Sequence, residues 1–382
     1  MKIVIAIDSF KGSLSSTEAG SAAAKGIRRV IPDAEISVFP VADGGEGTAE
    51  ALTTGLHGTL RHAVVPDPLG RPVTAAYGIL PDRTAVIEMA AASGLPLLSP
   101  AERNPMHTTT EGFGMLVRDA AAQGCRRFLL GLGGSATNDG GIGFLQALGF
   151  SLTGADGLPV PPGAAGLAML RHISPESTLR ELSGCSFHIA CDVNNPLCGE
   201  TGCSAVFAPQ KGADAAMVTE MEQSMRHYAE LVKSVFPDAD PDAPGAGAAG
   251  GLGFAIRTFL HGNCESGAAL VMRMTGLEQA ISGADLVITG EGCIDAQTAM
   301  GKAPAVIAQT AKRSGIPVIA FCGIAGTGAS ECTACGIDAF FPVLRRITSP
   351  ENAMHPETAA QNLADTAEQV FRLTEALTRR NL

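Results

Sequence analysis

The sequence predicts an α/β protein built on parallel sheets, and three features of its pattern carry that expectation. Short apolar runs of the kind buried on both faces recur, at Ile3 to Ile7, Phe128 to Leu132, Leu286 to Thr289 and Ile316 to Phe321. Helical patterns alternate with these runs. Glycine, 46 of 382 residues, clusters directly after them, where α/β proteins keep ligand loops.

The first run leads into a loop, Asp8 to Leu14, and then a capping box, Ser15 with Glu18. Ala19, Ala22, Ala23, Gly26, Ile27 and Val30 follow at helical spacing until Pro32. A second strand over 35–41 and a second glycine-rich loop over 43–48 repeat the unit. From Val65 the texture changes. A rigid turn, Pro66 to Pro72, precedes alternating strands at 73–80 and 84–89, and a helix is expected behind a Thr108/Glu111 cap. A strand over 187–191 ends in Asp192, and a helix over 213–236 is followed by a Pro/Gly/Ala loop over 237–253. Strand–loop–helix units return near Asp285 and a helix from Pro356 closes the chain. The two ends share one style and the middle another. The expectation is a parallel-sheet, Rossmann- or flavodoxin-like domain from residues 1–64 and 283–382, with a second α/β domain, 65–282, inserted. The active site is expected in the cleft between them.

Formal charge is −11, from 27 basic and 38 acidic residues, with no basic stripe, so a nucleic-acid partner is not expected. No apolar run reaches eighteen residues, and the first residues read as a strand rather than a signal peptide. No membrane partner is expected. Ten cysteines are scattered as small hydrophobes, as in a reduced compartment, and a cytoplasmic location follows. Cys332/Cys335 and Cys198/Cys203 lack the second pair that a zinc site needs. A homodimer is compatible with the sequence.

The run Gly131-Leu132-Gly133-Gly134-Ser135-Ala136-Thr137-Asn138-Asp139 reads as a phosphate cradle, since glycine lets main-chain amides approach an anion. It also fits the relaxed dinucleotide pattern, which supports an NAD-dependent hydroxy-acid dehydrogenase as the rival reading. The acid expected further on is poorly matched by Asp156, which sits in a turn. A neutral glycine turn is the plain alternative. No P-loop or nucleophile elbow is present. Asp192, at the end of a buried strand, suits a magnesium ligand or a base, or else an Asx-turn. Asp43 with Glu46, and Glu291 with Asp295, suit a metal or the start of a helix. Lys11, Lys211 and Lys302 each stand beside glycine in a lysine-poor chain, and Arg71 lies in the Pro-rich turn. These are the candidate partners for phosphate or carboxylate.

Taken together and in order, eight motifs resemble the type-1 bacterial glycerate kinase family from end to end. They are Asp8 to Ser13, Ala42 to Thr48, Asp67 to Arg71, Gly131 to Gly141, Asp192 to Leu197, Phe207 to Ala213, Gly245 to Gly253 and Ile288 to Gly292. The resemblance implies ATP-dependent phosphorylation of D-glycerate, in most members at the 2-hydroxyl and in older assignments at the 3-hydroxyl. It also implies two α/β domains, one inserted in the other.

Phosphoryl transfer asks a protein for positioning and charge neutralisation. On that basis Asp192, Lys11 and Lys211 are the expected catalytic residues. Gly133, Gly134, Ser135, Thr137, Asn138, Gly250, Gly251 and Lys302 are expected around ATP, and Ser9, Arg71 and Asn195 around D-glycerate. Mg²⁺ is expected on Asp43, Glu46, Glu291 and Asp295, with Asp192 a further candidate.

Overall fold

The structure, a computed structural model, describes residues 1–42 and 44–378. Contacts divide it into two compact units, Met1–Asp43 with Ala268–Leu382, and Gly44–Gly267. The chain opens with β1 (Lys2–Ile7), a helix, Ser16–Arg28, and β2 (Glu35–Val38). The capping box forms: the Ser15 hydroxyl accepts from the Glu18 amide and the Glu18 carboxylate accepts from the Ser15 amide.

The second unit contains β3 (Thr59–Pro66), β4 (Pro72–Ile79), β5 (Thr84–Glu88), β6 (Arg127–Gly131), β9 (Ser186–Ala190) and β10 (Asn263–Glu265), with β7 (Ser151–Thr153) and β8 (His172–Ser174) paired apart from the others. Its main sheet runs β10-β9-β6-β5-β4-β3. The β3/β4/β5 portion is antiparallel and the β5/β6/β9/β10 portion parallel. Helices Glu111–Ala122 and Ala248–Leu260 bury Phe113, Phe254 and Ile256 in a core with the stacked pair Phe128 and Phe187.

Back in the first unit, β11 (Leu286–Ile294), β12 (Val318–Ala325) and β13 (Ala339–Pro342) complete an all-parallel sheet of order β13-β12-β11-β1-β2. Val4 and Ala6 of β1 pack in a core with Ile307, Ala308 and Ala311 of helix Ala303–Arg313. Ile3, Ile5 and Ile7 pack in another with helices Ser16–Arg28 and Pro356–Thr378. Helices on both faces explain the unbroken apolar run.

Three local expectations are corrected. The contact boundaries fall at 43/44 and 267/268, earlier than the expected 64/65 and 282/283. Helix Thr48–Gly55 packs on β4 and β5, whereas Ala268, Met272, Leu277 and Ile281 join the core of the first unit. Thr108 does not cap the helix at 111–122: Thr110 is its N-cap, and the Thr108 hydroxyl donates to the Ala136 carbonyl instead. The loop expected over 237–253 ends two residues sooner: residues 249–251 have non-helical φ/ψ, and regular helix follows them as far as Leu260.

Candidate active site

In the first unit, β11 and the loops behind β1 and β11 deliver polar residues into a cavity of about 560 Å³, which β12 lines with Gly323 and Ile324. Ser9 and Lys11 come from the loop after β1, Glu291 from β11, and Asp295 and Lys302 from the segment behind it, joined by Asp8. Five residues singled out from the sequence thus share one hollow. Glu291 is buried; its carboxylate accepts from the Thr298 hydroxyl at 2.6 Å and faces Lys302 Nζ at 3.7 Å. Asp295, expected on magnesium, also has a structural task. Its carboxylate is the N-cap of helix Ala296–Ala299, accepting from the Gln297 and Thr298 amides at 2.8 and 3.3 Å.

In the second unit the parallel strands end in a second polar group. The loop after β6 leaves Gly133 and Gly134 exposed and buries Ser135, Thr137 and Asn138. Lys211 is buried too. Its ammonium donates to Ser135 Oγ at 2.8 Å and the Thr137 carbonyl at 2.6 Å, and burial pushes its pKa down to about 8. Asn138 donates to Ser204 Oγ at 2.9 Å. Asp139 is wholly enclosed and accepts from the Thr110 amide and hydroxyl and the Gly141 amide. Its burial raises its pKa, and it serves to lock the loop to the next helix.

Asp192 follows β9, is exposed to solvent, and accepts from the Gly267 amide at 3.2 Å. Other expected ligand contacts have internal partners. Asn195 donates to the Thr201 carbonyl at 2.8 Å, so its donor closes its own loop. Arg71 is paired with Asp67 at 2.7 Å and Glu102 at 2.6 Å, which neutralise it within the Pro-rich turn. Gly250 and Gly251 are buried with φ of +66° and +90°. A Cβ on Gly250 would lie 2.2 Å from the Thr137 carbonyl, and the Gly250 carbonyl accepts from the Gly140 amide. These two glycines allow one loop to pack closely on another. Glu46 is exposed on its turn, and Asp43 lies outside the described residues. Among the described residues no three His, Cys, Asp or Glu side chains converge as a metal set.

Glu88 escapes a reading of the sequence alone, since it looks like one residue of an ordinary strand. It ends β5 in register with Gly131 and accepts from the Ala49 amide at 3.2 Å, at the N-terminus of helix Thr48–Gly55. Burial raises its pKa to about 7. A carboxylate so perturbed at the carboxyl edge of a parallel sheet marks a functional region.

An open parallel α/β unit with lysines and carboxylates gathered outside its strand ends is an arrangement suited to binding a phosphorylated ligand. The Glycerate kinase family matches residues 3–375. The chain is 46% identical to Glycerate 2-kinase of Escherichia coli over 92% of this chain and 93% of that one. It is 44% identical to Glycerate kinase of Bacillus subtilis, covering 97% of each. The crystal structure of a protein assigned as glycerate kinase 2 from Salmonella typhimurium LT2 superposes with a TM-score of 0.90, at 43% identity and 99% coverage of both chains. The chain is therefore an enzyme of the kinase class. It belongs to the glycerate kinase family.

Proposed function

We propose that this protein transfers the γ-phosphoryl group of ATP to the 2-hydroxyl of D-glycerate, giving 2-phosphoglycerate and ADP. The observation that carries this reading is the near full-length likeness to a glycerate 2-kinase. Asp192 accepts the proton of the substrate hydroxyl, a role that suits an accessible carboxylate held at a strand end by the Gly267 amide. Lys11 and Lys302 neutralise phosphate charge. Lys211 braces Ser135 and Thr137 from behind, so that the exposed amides of Gly133 and Gly134 stay fixed for the anionic substrate. Magnesium fits the donor set of the cavity in the first unit, where Asp8 and Glu291 supply the one or two carboxylates it ordinarily takes beside phosphate oxygens and water. When bound it would neutralise the triphosphate. The cysteines, free among the described residues, and the lack of any described helix long and apolar enough to cross a membrane suit the cytoplasmic placement we propose.

The test is direct. Purified protein with ATP, Mg²⁺ and D-glycerate should release ADP in proportion to glycerate consumed, and NAD with hydroxy acids should give no reduced nicotinamide. Glycerate-independent ADP release alone would overturn the proposal.

A further inference from the structure

Strand order in the first unit reverses between β1 and β11: the chain steps outward from β1 to β2 on one side and from β11 through β12 to β13 on the other. In open parallel sheets this reversal leaves a crevice outside the carboxyl ends of the strands, and ligands bind there. The cavity of about 560 Å³ lies at that place, lined by Asp8 and Lys11 after β1, Glu291 of β11 and Ile324 of β12. The second unit has no such reversal, because β5, β6, β9 and β10 follow one another outward in chain order. Its loop over 131–136 therefore has the glycine pattern of a dinucleotide site without the topology that normally makes room for one.

The walls of the cavity are of two kinds. One is charged, with Lys11 and Lys302 beside Asp8 and Glu291. The other is apolar and left in water: Ile324, Leu344 and Met354 are 53, 42 and 46% exposed. Large apolar side chains clustered at the wall of a hollow mark a place for an apolar ligand face. Glycerate has seven non-hydrogen atoms and no such face. A nucleoside triphosphate has a flat purine at one end and several negative charges at the other, and the volume lies within the range of ~300–1,000 Å³ that holds a ligand of that size.

We infer that this cavity is the adenine-nucleotide site, with the purine against Ile324, Leu344 and Met354 and the phosphates towards Lys11 and Lys302. Lys302 also stands at the N-terminus of helix Ala303–Arg313, whose dipole favours an anion. This assignment rests on ATP being the phosphoryl donor and adds where its base is held.

Photolabelling the full-length protein with 2-azido-ATP tests it, with excess ATP as competitor and peptide mapping as readout. ATP-protected label should fall within 321–326 or 343–354. In parallel, Ile324→Arg and Leu344→Arg should each raise KM for ATP by about tenfold, equivalent to ~1.4 kcal/mol, and leave KM for D-glycerate within about twofold. Both side chains already reach solvent, so an arginine at either place can keep its charge in water, and unchanged thermal melts check the fold. Label concentrated on 131–141, no ATP-protected label, or a shift confined to KM for D-glycerate would each overturn the inference. Protected label in the expected peptides without phosphorylation of D-glycerate would leave this site standing and refute the proposed reaction instead.

Discussion

Glu88→Gln separates the stability of the second unit from its function. Burial raises the Glu88 carboxyl from 4.5 to about 7, against the pull of the Gly47, Thr48 and Ala49 amides, with Glu46 adding repulsion. Between those two pH values the folded chain holds a proton that the unfolded chain has released. The stability tied to the neutral form is complete below pH 4.5 and lost as pH rises through about 7. At ~1.4 kcal/mol per unit, ionising this group in place costs about 3 kcal/mol by pH 8. Glutamine keeps an oxygen for the Ala49 amide and has no charge to bury. The variant should therefore melt several degrees above the wild type at pH 8, with the gap closing by pH 5. Its kcat/KM should fall, because the neutral amide holds the turn before helix Thr48–Gly55 less firmly than the carboxylate does. Thermal melts from pH 4 to 9 on both proteins give the comparison. Parallel melting curves, offset equally at every pH, would refute the assignment of a displaced carboxyl at this position.

Three further outcomes follow from the same geometry. Asp192→Asn should lower kcat by about 10²–10⁴ with the melting temperature little changed, and near wild-type turnover would remove Asp192 as the base. Gly250→Ala should destabilise the protein by on the order of 2–4 kcal/mol in denaturant titration, since the new methyl meets the Thr137 carbonyl and the residue keeps a positive φ. A stable variant would show that the two loops are not locked together. Asp295→Ser, which retains an N-cap, should preserve kcat within about threefold and stability within ~0.5 kcal/mol; a collapse of kcat with stability intact would mark Asp295 as a metal ligand.

Much of the fold was legible because its signals are local. The continuous apolar run of β1 announced a strand covered on both faces, and Val4 and Ile5 do pack in different cores. The Ser15–Glu18 box marked a helix start that the structure keeps. The gathering of Ser9, Lys11, Glu291 and Lys302 in one cavity was foreshadowed by their places at loops behind strands. What could not be read depends on partners distant in sequence. Glycine at 250 announces conformational freedom, but not that the object approaching it is the backbone of Thr137. Arg71 is neutralised in part by Glu102, thirty-one positions away, and no local pattern reveals that pairing. The perturbation of Glu88 arises from burial beneath a turn forty residues earlier, so β5 alone carries no trace of it.

The central claim is a phosphoryl transfer to one particular hydroxyl, and proton-coupled phosphorus NMR of the reaction product reads that hydroxyl directly. A phosphate on C2 has one proton on the neighbouring carbon and gives a doublet, whereas one on C3 has two and gives a triplet. With D-glycerate, ATP and Mg²⁺ a doublet should grow in step with ADP. A triplet, or inorganic phosphate as the only new signal, would contradict it.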